Sequence, residues 1–202
     1  MNSRDQLRAL LRRKSLFRGK FTLSSGQSSD YYLDCRLTTL DPEGAVLTAH
    51  TILELLAEHG IEAEAIGGPT IGADPIVTAV AAISFLEGKP LPAFLVRKEQ
   101  KGHGRQKRIE GFEPRKGMKV VIVDDVCTSG GSTLDALAAA EEAGLNVVAV
   151  LSLVDREEGG SAKIKEKYPY HAVFTARELL QDKGTVGSAS ERTEETSLRR
   201  PT

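Results

Sequence analysis

Two adjacent acids and a loop of small, hydroxylated residues separate an apolar run from a helix-forming run. From Val120 to Thr133 the chain reads V-V-I-V-D-D-V-C-T-S-G-G-S-T, and helix formers continue to Ala143. The four β-branched residues Val120 to Val123 predict a buried strand. Backbone N–H groups in such a loop, with the positive end of the helix behind it, hold a phosphate without a cationic side chain. Asp124 and Asp125 stand at the carboxyl end of the strand, where open parallel sheets bind ligands. Two carboxylates repel a phosphate, but they accept hydrogen bonds from neighbouring hydroxyls such as those of a ribose. Loop and acids together predict a site for a 5-phosphoribosyl group. The stretch is neither a GxxxxGK phosphate loop nor a GxGxxG dinucleotide turn.

A second group of residues suits the other end of such a ligand. Between Arg97 and Arg108 lie Arg97, Lys98, Lys101, Arg105, Lys107 and Arg108, with His103 among them and Glu99 as the only acid. Gly102 and Gly104 interrupt the segment, and few apolar residues anchor it. It is expected to move when empty. A cationic loop that closes can neutralise a departing diphosphate and exclude water. Gly68 to Gly72, G-P-T-I-G, forms a further turn between an apolar strand and a helix.

The elements that must position these residues follow from hydrophobic periodicity. Asp5 to Lys14 has leucines at 7, 10 and 11, one face of a short helix. Phe17 to Asp34 alternates weakly around Gly19 and Gly26, as strands joined by turns do. Pro42 to His59 is an amphipathic helix that Asp41-Pro42 starts and Gly60 stops. Strands are then expected at Ala63–Ile66, Ala93–Val96, Met118–Val123, Val147–Leu153 and Ala172–Phe174. Helices are expected at Asp74–Leu86, Ser132–Ala143 and Ala162–Tyr168, and Lys98–Pro114 reads as a polar loop or hairpin. Alternating strands and helices predict an α/β fold, a central parallel sheet flanked by helices. The regions expected are an N-terminal helix and hood at 1–40, a core at 41–182 and a disordered tail at 183–202 with few large apolar residues.

Composition narrows the function classes. The 202 residues suit one α/β domain, and a formal net charge of -1 gives no global field for nucleic acid or membrane. The two cysteines, Cys35 and Cys127, lack metal-site spacing and read as free thiols in a reducing cytosol. The N-terminus has no apolar signal region, and no apolar run is of membrane-spanning length. His50, His59 and His171 lack carboxylate or cysteine partners at metal spacing and read as structural.

The strand, the two acids and the Thr-x-Gly-Gly loop resemble the phosphoribosyl-diphosphate signature of the type I phosphoribosyltransferases. Three more segments narrow the resemblance to orotate phosphoribosyltransferases. These are F-T-L-S-S-G-Q-S-S-D-Y-Y-L-D from Phe21 to Asp34, R-K-E-Q-K-G-H-G from Arg97 to Gly104, and L-V-D-R-E-E-G-G from Leu153 to Gly160. The resemblance implies the type I phosphoribosyltransferase fold, with its hood over the base site. It implies conversion of orotate and 5-phosphoribosyl 1-diphosphate to orotidine 5-phosphate and diphosphate, a step of pyrimidine biosynthesis in the cytoplasm.

The same resemblance assigns roles. Asp124 and Asp125 would bind the ribose hydroxyls, and Thr128, Ser129, Gly130, Gly131 and Ser132 the 5-phosphate. Thr70, Ile71 and Gly72 would form the diphosphate turn. Arg97, Lys98, Lys101 and His103 would contact the diphosphate, with Lys101 and His103 stabilising the leaving group or delivering a proton. Most of this loop would act across a homodimer, and Lys98 within its own chain. Arg156 would pair with orotate, and Tyr32 and Leu33 would line the base site. Magnesium would arrive on the substrate's diphosphate and ribose hydroxyls, with no direct protein ligand. Some members carry a lysine before the Ser-Gly of the N-terminal segment; here Ser24 stands there, with Lys20 nearby. Two other readings share the ribose-phosphate site: a sibling enzyme that uses a purine base, and a non-catalytic regulator. No extension of the size of a DNA-binding domain accompanies it.

Overall fold

A computed structural model of the chain describes residues 2–22, 28–98 and 108–181. The first helix, α1 (Ser3–Lys14), begins where the Asn2 side chain accepts a hydrogen bond from the Asp5 N–H at 2.8 Å, and it buries Leu7, Leu10 and Leu11. Strands β1 (Leu16–Thr22) and β2 (Ser28–Leu33) pair antiparallel as a two-stranded sheet. A single turn, α2 (Arg36–Thr39), leads into α3 (Pro42–Glu58). Asp41 caps α3 by accepting from the Gly44 N–H at 3.2 Å, and Gly60 turns the chain out of it with φ +61°.

The rest alternates. In order come β3 (Ala65–Pro69), α4 (Asp74–Leu86), β4 (Ala93–Val96), β5 (Ile109–Glu110), β6 (Lys119–Cys127) and α5 (Gly131–Glu142). Then follow β7 (Asn146–Asp155), α6 (Gly160–Lys165), β8 (Tyr170–Thr175) and α7 (Ala176–Leu180). Strands β3 to β8 form one sheet in the order β5-β4-β3-β6-β7-β8, parallel except for β5. This is the α/β architecture expected from the sequence, with a small N-terminal hairpin.

The apolar strands are continuous because both faces of the sheet are covered. Val121 and Val123 join one core with Leu7 of α1, Ile52 of α3 and Ile76 of α4. Val120 and Ile122 join the other with Ala136 and Leu137 of α5 and Ile164 of α6. The chain leaves β3 toward β4 on one side and returns as β6 on the other. The carboxyl ends of β3 and β6 therefore flank a topological switch point, the crevice where open α/β sheets bind ligands.

Several boundaries differ from the sequence expectation, for local reasons. Strand β3 runs past Ile66 to Pro69. Its glycines are strand residues because a β-carbon on Gly67 would lie 2.4 Å from the Phe94 ring, and one on Gly68 1.9 Å from the Val123 carbonyl oxygen. Strand β6 runs past Val123 to Cys127 because β7 continues beside it, pairing Asp124 with Ser152 and Cys127 with Asp155. The two acids are thus inside a paired strand and not beyond its end. Helix α6 covers Gly160–Lys165 and not Ala162–Tyr168. Helices α2 and α7 have no counterpart in the expectation. The start of α7 was nonetheless written in the sequence, as a Thr175–Glu178 capping box with both reciprocal hydrogen bonds. The basic segment at 99–107 and the tail at 182–202 lie outside the described residues.

Candidate active site

A cleft of about 540 Å³ opens at the carboxyl ends of β3 and β6. Tyr32, Leu33, Asp34 and Arg36 line it from the end of β2 and the start of α2. Thr70, Ile71 and Gly72 come from the turn after β3, and Lys98 from the segment after β4. Asp125, Val126 and Thr128 come from β6 and its loop, and Arg156 from the loop after β7. Residues far apart in the chain, and singled out separately in its sequence, therefore share one cavity. Lys101 and His103 lie outside the described residues.

The loop after β6 is shaped for an anion. Gly130 adopts φ +78°, a left-handed conformation that glycine takes without strain, and sits at the N-cap of α5. No side chain caps this helix, and among the described residues the backbone N–H groups of Ser129 to Thr133 have no acceptor. The back of the loop rests on the loop after β7. The Gly160 N–H donates to the Thr128 carbonyl at 3.0 Å, and the Arg156 N–H to the Cys127 carbonyl at 2.9 Å. A β-carbon on Gly160 would lie 2.4 Å from both the Gly130 nitrogen and the Thr128 oxygen. The turn that carries Arg156 is itself tied down: Asp155 accepts from the Glu157 N–H at 2.8 Å, and Glu157 takes φ +59°.

The two acids differ in environment. Asp125 lines the cleft, and its Oδ1 accepts from the Val126 N–H at 2.8 Å. Asp124 is buried beneath it, accepting from the Thr133 hydroxyl at 3.0 Å and from the Asp125 N–H at 2.9 Å. Burial, reinforced by the neighbouring Asp125 charge, pushes the Asp124 carboxyl up to about 7. Burial raises Asp125 as well. Asp124 therefore keeps its proton to higher pH than an ordinary carboxylate, Asp125 shifts in the same direction, and a ligand that donates hydrogen bonds or brings a cation favours proton release. Gly72 presses on both acids: a β-carbon there would lie 2.4 Å from Asp125 Oδ1 and 3.1 Å from Asp124 Oδ1. The peptide bond between Thr70 and Ile71 is cis.

Arg156 has a side chain only 8% exposed. Its guanidinium carbon lies 4.7 Å from the centre of the Tyr31 ring. Glu158 approaches Nε to 2.8 Å, but off the N–H direction, so Nε has a counter-charge and no hydrogen-bond partner. The ring beneath the guanidinium restricts where its charged fork can sit. Tyr31 was missed in the sequence, where Tyr32 and Leu33 drew attention; it is the aromatic residue beside them on the same strand. Tyr32 stands 40% exposed against Phe17 and Phe21.

Asp34 and Arg36 were also missed. Arg36 donates from Nε and Nη2 to the two oxygens of Asp34 at 2.9 and 3.0 Å, a bidentate pair at the cleft wall. Their signal was an acid and an arginine two apart at the end of a strand. Lys98 is a wall of the cleft, whereas Arg97 lies 3.6 Å from Glu110 across the β4–β5 pair. The remaining histidines are elsewhere: His50 contacts Glu87 at 2.8 Å, and His59 stacks on His171 with ring centres 4.0 Å apart. Among the described residues no group of three or more His, Cys, Asp or Glu could hold a metal ion.

With this geometry in view, similarity to known proteins is specific. The phosphoribosyl transferase domain family matches residues 49–178. The chain is 43% identical over 182 residues to an orotate phosphoribosyltransferase of Bradyrhizobium sp. (strain BTAi1), covering 88% of this chain and 97% of that protein. Its fold superposes on Mycobacterium tuberculosis H37Rv orotate phosphoribosyltransferase in complex with Fe(III) dicitrate with a TM-score of 0.78 and 38% identity, covering 89% of this chain and 99% of that one. The same enzyme in complex with 5-phospho-alpha-D-ribosyl 1-diphosphate gives 0.73 and 36%, over 88% and 98% of the two chains. Signature, cleft and similarity over nearly the whole length of these relatives agree, and the chain belongs to the orotate phosphoribosyltransferase family.

Proposed function

We propose that this chain transfers the 5-phosphoribosyl group of 5-phosphoribosyl 1-diphosphate to orotate, giving orotidine 5-phosphate and diphosphate in pyrimidine biosynthesis. The observation that carries the reading is the single cleft that Thr128 of the loop after β6, Asp125 and Arg156, set over the Tyr31 ring, line together, with Asp124 buried beneath Asp125.

In this reading the N–H groups of Ser129 to Thr133 and the positive end of α5 hold the 5-phosphate, with Thr128 and Ser132 beside it. Asp125 and Asp124 accept from the ribose hydroxyls. Arg156 pairs with the orotate carboxylate, over a floor made by Tyr31 and flanked by Tyr32 and Leu33. An orotate ring nitrogen attacks the anomeric carbon. The carbon–nitrogen bond forms as the carbon–oxygen bond to diphosphate breaks, and the electron pair leaves on the diphosphate oxygen. The proton of the attacking nitrogen goes to the leaving group or to water. Few groups need to react covalently, so positioning and charge stabilisation supply most of the acceleration. The turn Thr70–Gly72 and Lys98 meet the diphosphate from the same chain. Lys101 and His103, with Arg97, are assigned to the closing loop that neutralises it, shared across a homodimer.

Magnesium fits the donor set. Among the described residues the cleft offers carboxylate oxygens and no histidine or cysteine, which suits an oxygen-seeking ion that arrives on substrate phosphates. Bound there, it would offset charge on the diphosphate; the residues that would meet its ligand shell are Asp124 and Asp125. No helix among the described residues is long and apolar enough to cross a membrane, and the cysteines are free, which supports a cytoplasmic location. The test is a panel of bases with the diphosphate donor and magnesium. Conversion of orotate, and not of adenine, hypoxanthine or guanine, is expected; conversion of a purine alone would reassign the base site.

A further inference from the structure

Arg36 is the cation of the cleft that the roles above leave unused. It shares the wall with Gly72 and Asp125, the residues assigned to diphosphate and ribose. Its position is set by Asp34, which accepts from the Arg36 backbone N–H at 3.1 Å as well as from Nε and Nη2. That clamp uses one edge of the fork. The other terminal nitrogen, Nη1, has no partner among the described residues. The arginine is 45% exposed at its side chain, and pairs this exposed add little to stability. The clamp therefore holds a donor edge in place more than it holds the fold together. Arg36 is also close enough to Asp125 for its charge to favour the ionised carboxylate. The other cations of the cleft differ in kind. Arg156 sits over the Tyr31 ring in the reading's base site, and Lys98 is a single-point charge on a flexible stem. A diphosphate presents several oxygens in a row, and a planar guanidinium meets two of them at once.

We propose that Arg36 is a binding residue for the leaving diphosphate and that Asp34 is its positioning residue. The inference rests on the reading of the cleft as a phosphoribosyl-diphosphate site. Asp34 is held below the usual carboxylate range chiefly by its hydrogen bond from Arg36, so the clamp stays charged through the neutral range.

The test uses the full chain with Arg36→Ala, Arg36→Lys and Asp34→Asn. Calorimetry with inorganic diphosphate and with ribose 5-phosphate is combined with steady-state kinetics. Arg36→Ala should weaken inorganic diphosphate and raise the donor KM by about tenfold or more, the loss expected for a hydrogen bond to a charged group. The KM for orotate and the affinity for ribose 5-phosphate should move less than about twofold, because they report other subsites. Arg36→Lys should recover only part of the loss, since one ammonium cannot be clamped and bidentate together. Asp34→Asn should weaken diphosphate and raise the donor KM by less than Arg36→Ala does, with the orotate KM little changed, because the guanidinium remains but loses its clamp. Unchanged diphosphate affinity in a folded Arg36→Ala overturns the proposal. So does a shift confined to orotate, or an equal loss for diphosphate and ribose 5-phosphate, which marks a general collapse of the cleft. A wild-type chain that binds diphosphate through Arg36 yet converts no orotate refutes the transferase reading and leaves this one standing.

Discussion

Gly72 and Asp125 touch: a β-carbon at Gly72 would sit 2.4 Å from Asp125 Oδ1. The turn Thr70–Gly72 and the two acids are thus packed against each other. Gly72→Ala must displace either the turn or a carboxylate that is fixed by the Val126 N–H. The expected outcome is a loss of donor affinity of about tenfold or more with little change in melting temperature, since the strain falls at the site. Calorimetry with the donor, beside a thermal melt, checks it. A variant that melts early and still binds donor normally would show that the contact serves the fold.

The buried acids predict a pH dependence with a definite sign. Asp124 titrates at about 7 and Asp125 is raised too, because burial penalises their charge. Folding therefore binds protons at these sites more tightly than the unfolded chain does. That stabilisation is complete below the unfolded carboxylate value and is lost as pH rises through the folded one. Asp124→Asn should accordingly melt progressively higher than wild type as pH rises from about 5 to 8. Donor binding should release protons below about 7 and stop doing so about two units higher, as titrations in buffers of different ionisation enthalpy can detect. Proton uptake on binding would contradict the assignment of these acids to ribose hydroxyls.

The sequence made the centre of this site legible because its chemistry is local. Loop and acids are contiguous, and the strand before them needs both faces covered, so their position toward the carboxyl end of an internal strand followed from pattern. The ends of β3 and β6 were less legible. Gly67 and Gly68 look like a turn until Phe94 and Val123 are seen pressing on them. The acids look like a loop until β7 is seen pairing beside them. Tyr31, Asp34 and Arg36 escaped because their meaning is tertiary: each acts through a partner or a cleft that sequence spacing does not reveal.

Arg156 and Gly160 lie in one loop but should fail differently. Arg156→Ala removes a charge-assisted pair, at a cost of about 1.5–3 kcal/mol, and should raise the orotate KM about tenfold or more with the donor KM little changed. Gly160→Ala should raise the donor KM instead, because its new methyl group meets Gly130 and Thr128 of the anion loop. Steady-state kinetics with each substrate varied in turn separates them. A donor shift in Arg156→Ala would move that residue to the phosphate side.

A loop shared across a dimer predicts rescue between dead variants. Lys101→Ala and Asp125→Asn, each inactive alone, are mixed, dissociated and reassembled. Half the dimers should be hybrids with one intact site each, so activity should approach about a quarter of wild type. No recovery, with subunit exchange verified by mass spectrometry, would place the loop over its own chain's site.

The central claim joins one reaction to one cleft, and its direct test is the stoichiometry of that reaction in wild type and in Asp125→Asn. Orotate consumption is followed by absorbance while diphosphate release is assayed in the same mixture, with donor and magnesium present. The account predicts one diphosphate released for each orotate consumed by wild type, and near-complete loss of both in a folded Asp125→Asn. Diphosphate release without orotate consumption, or full activity in Asp125→Asn, would contradict it.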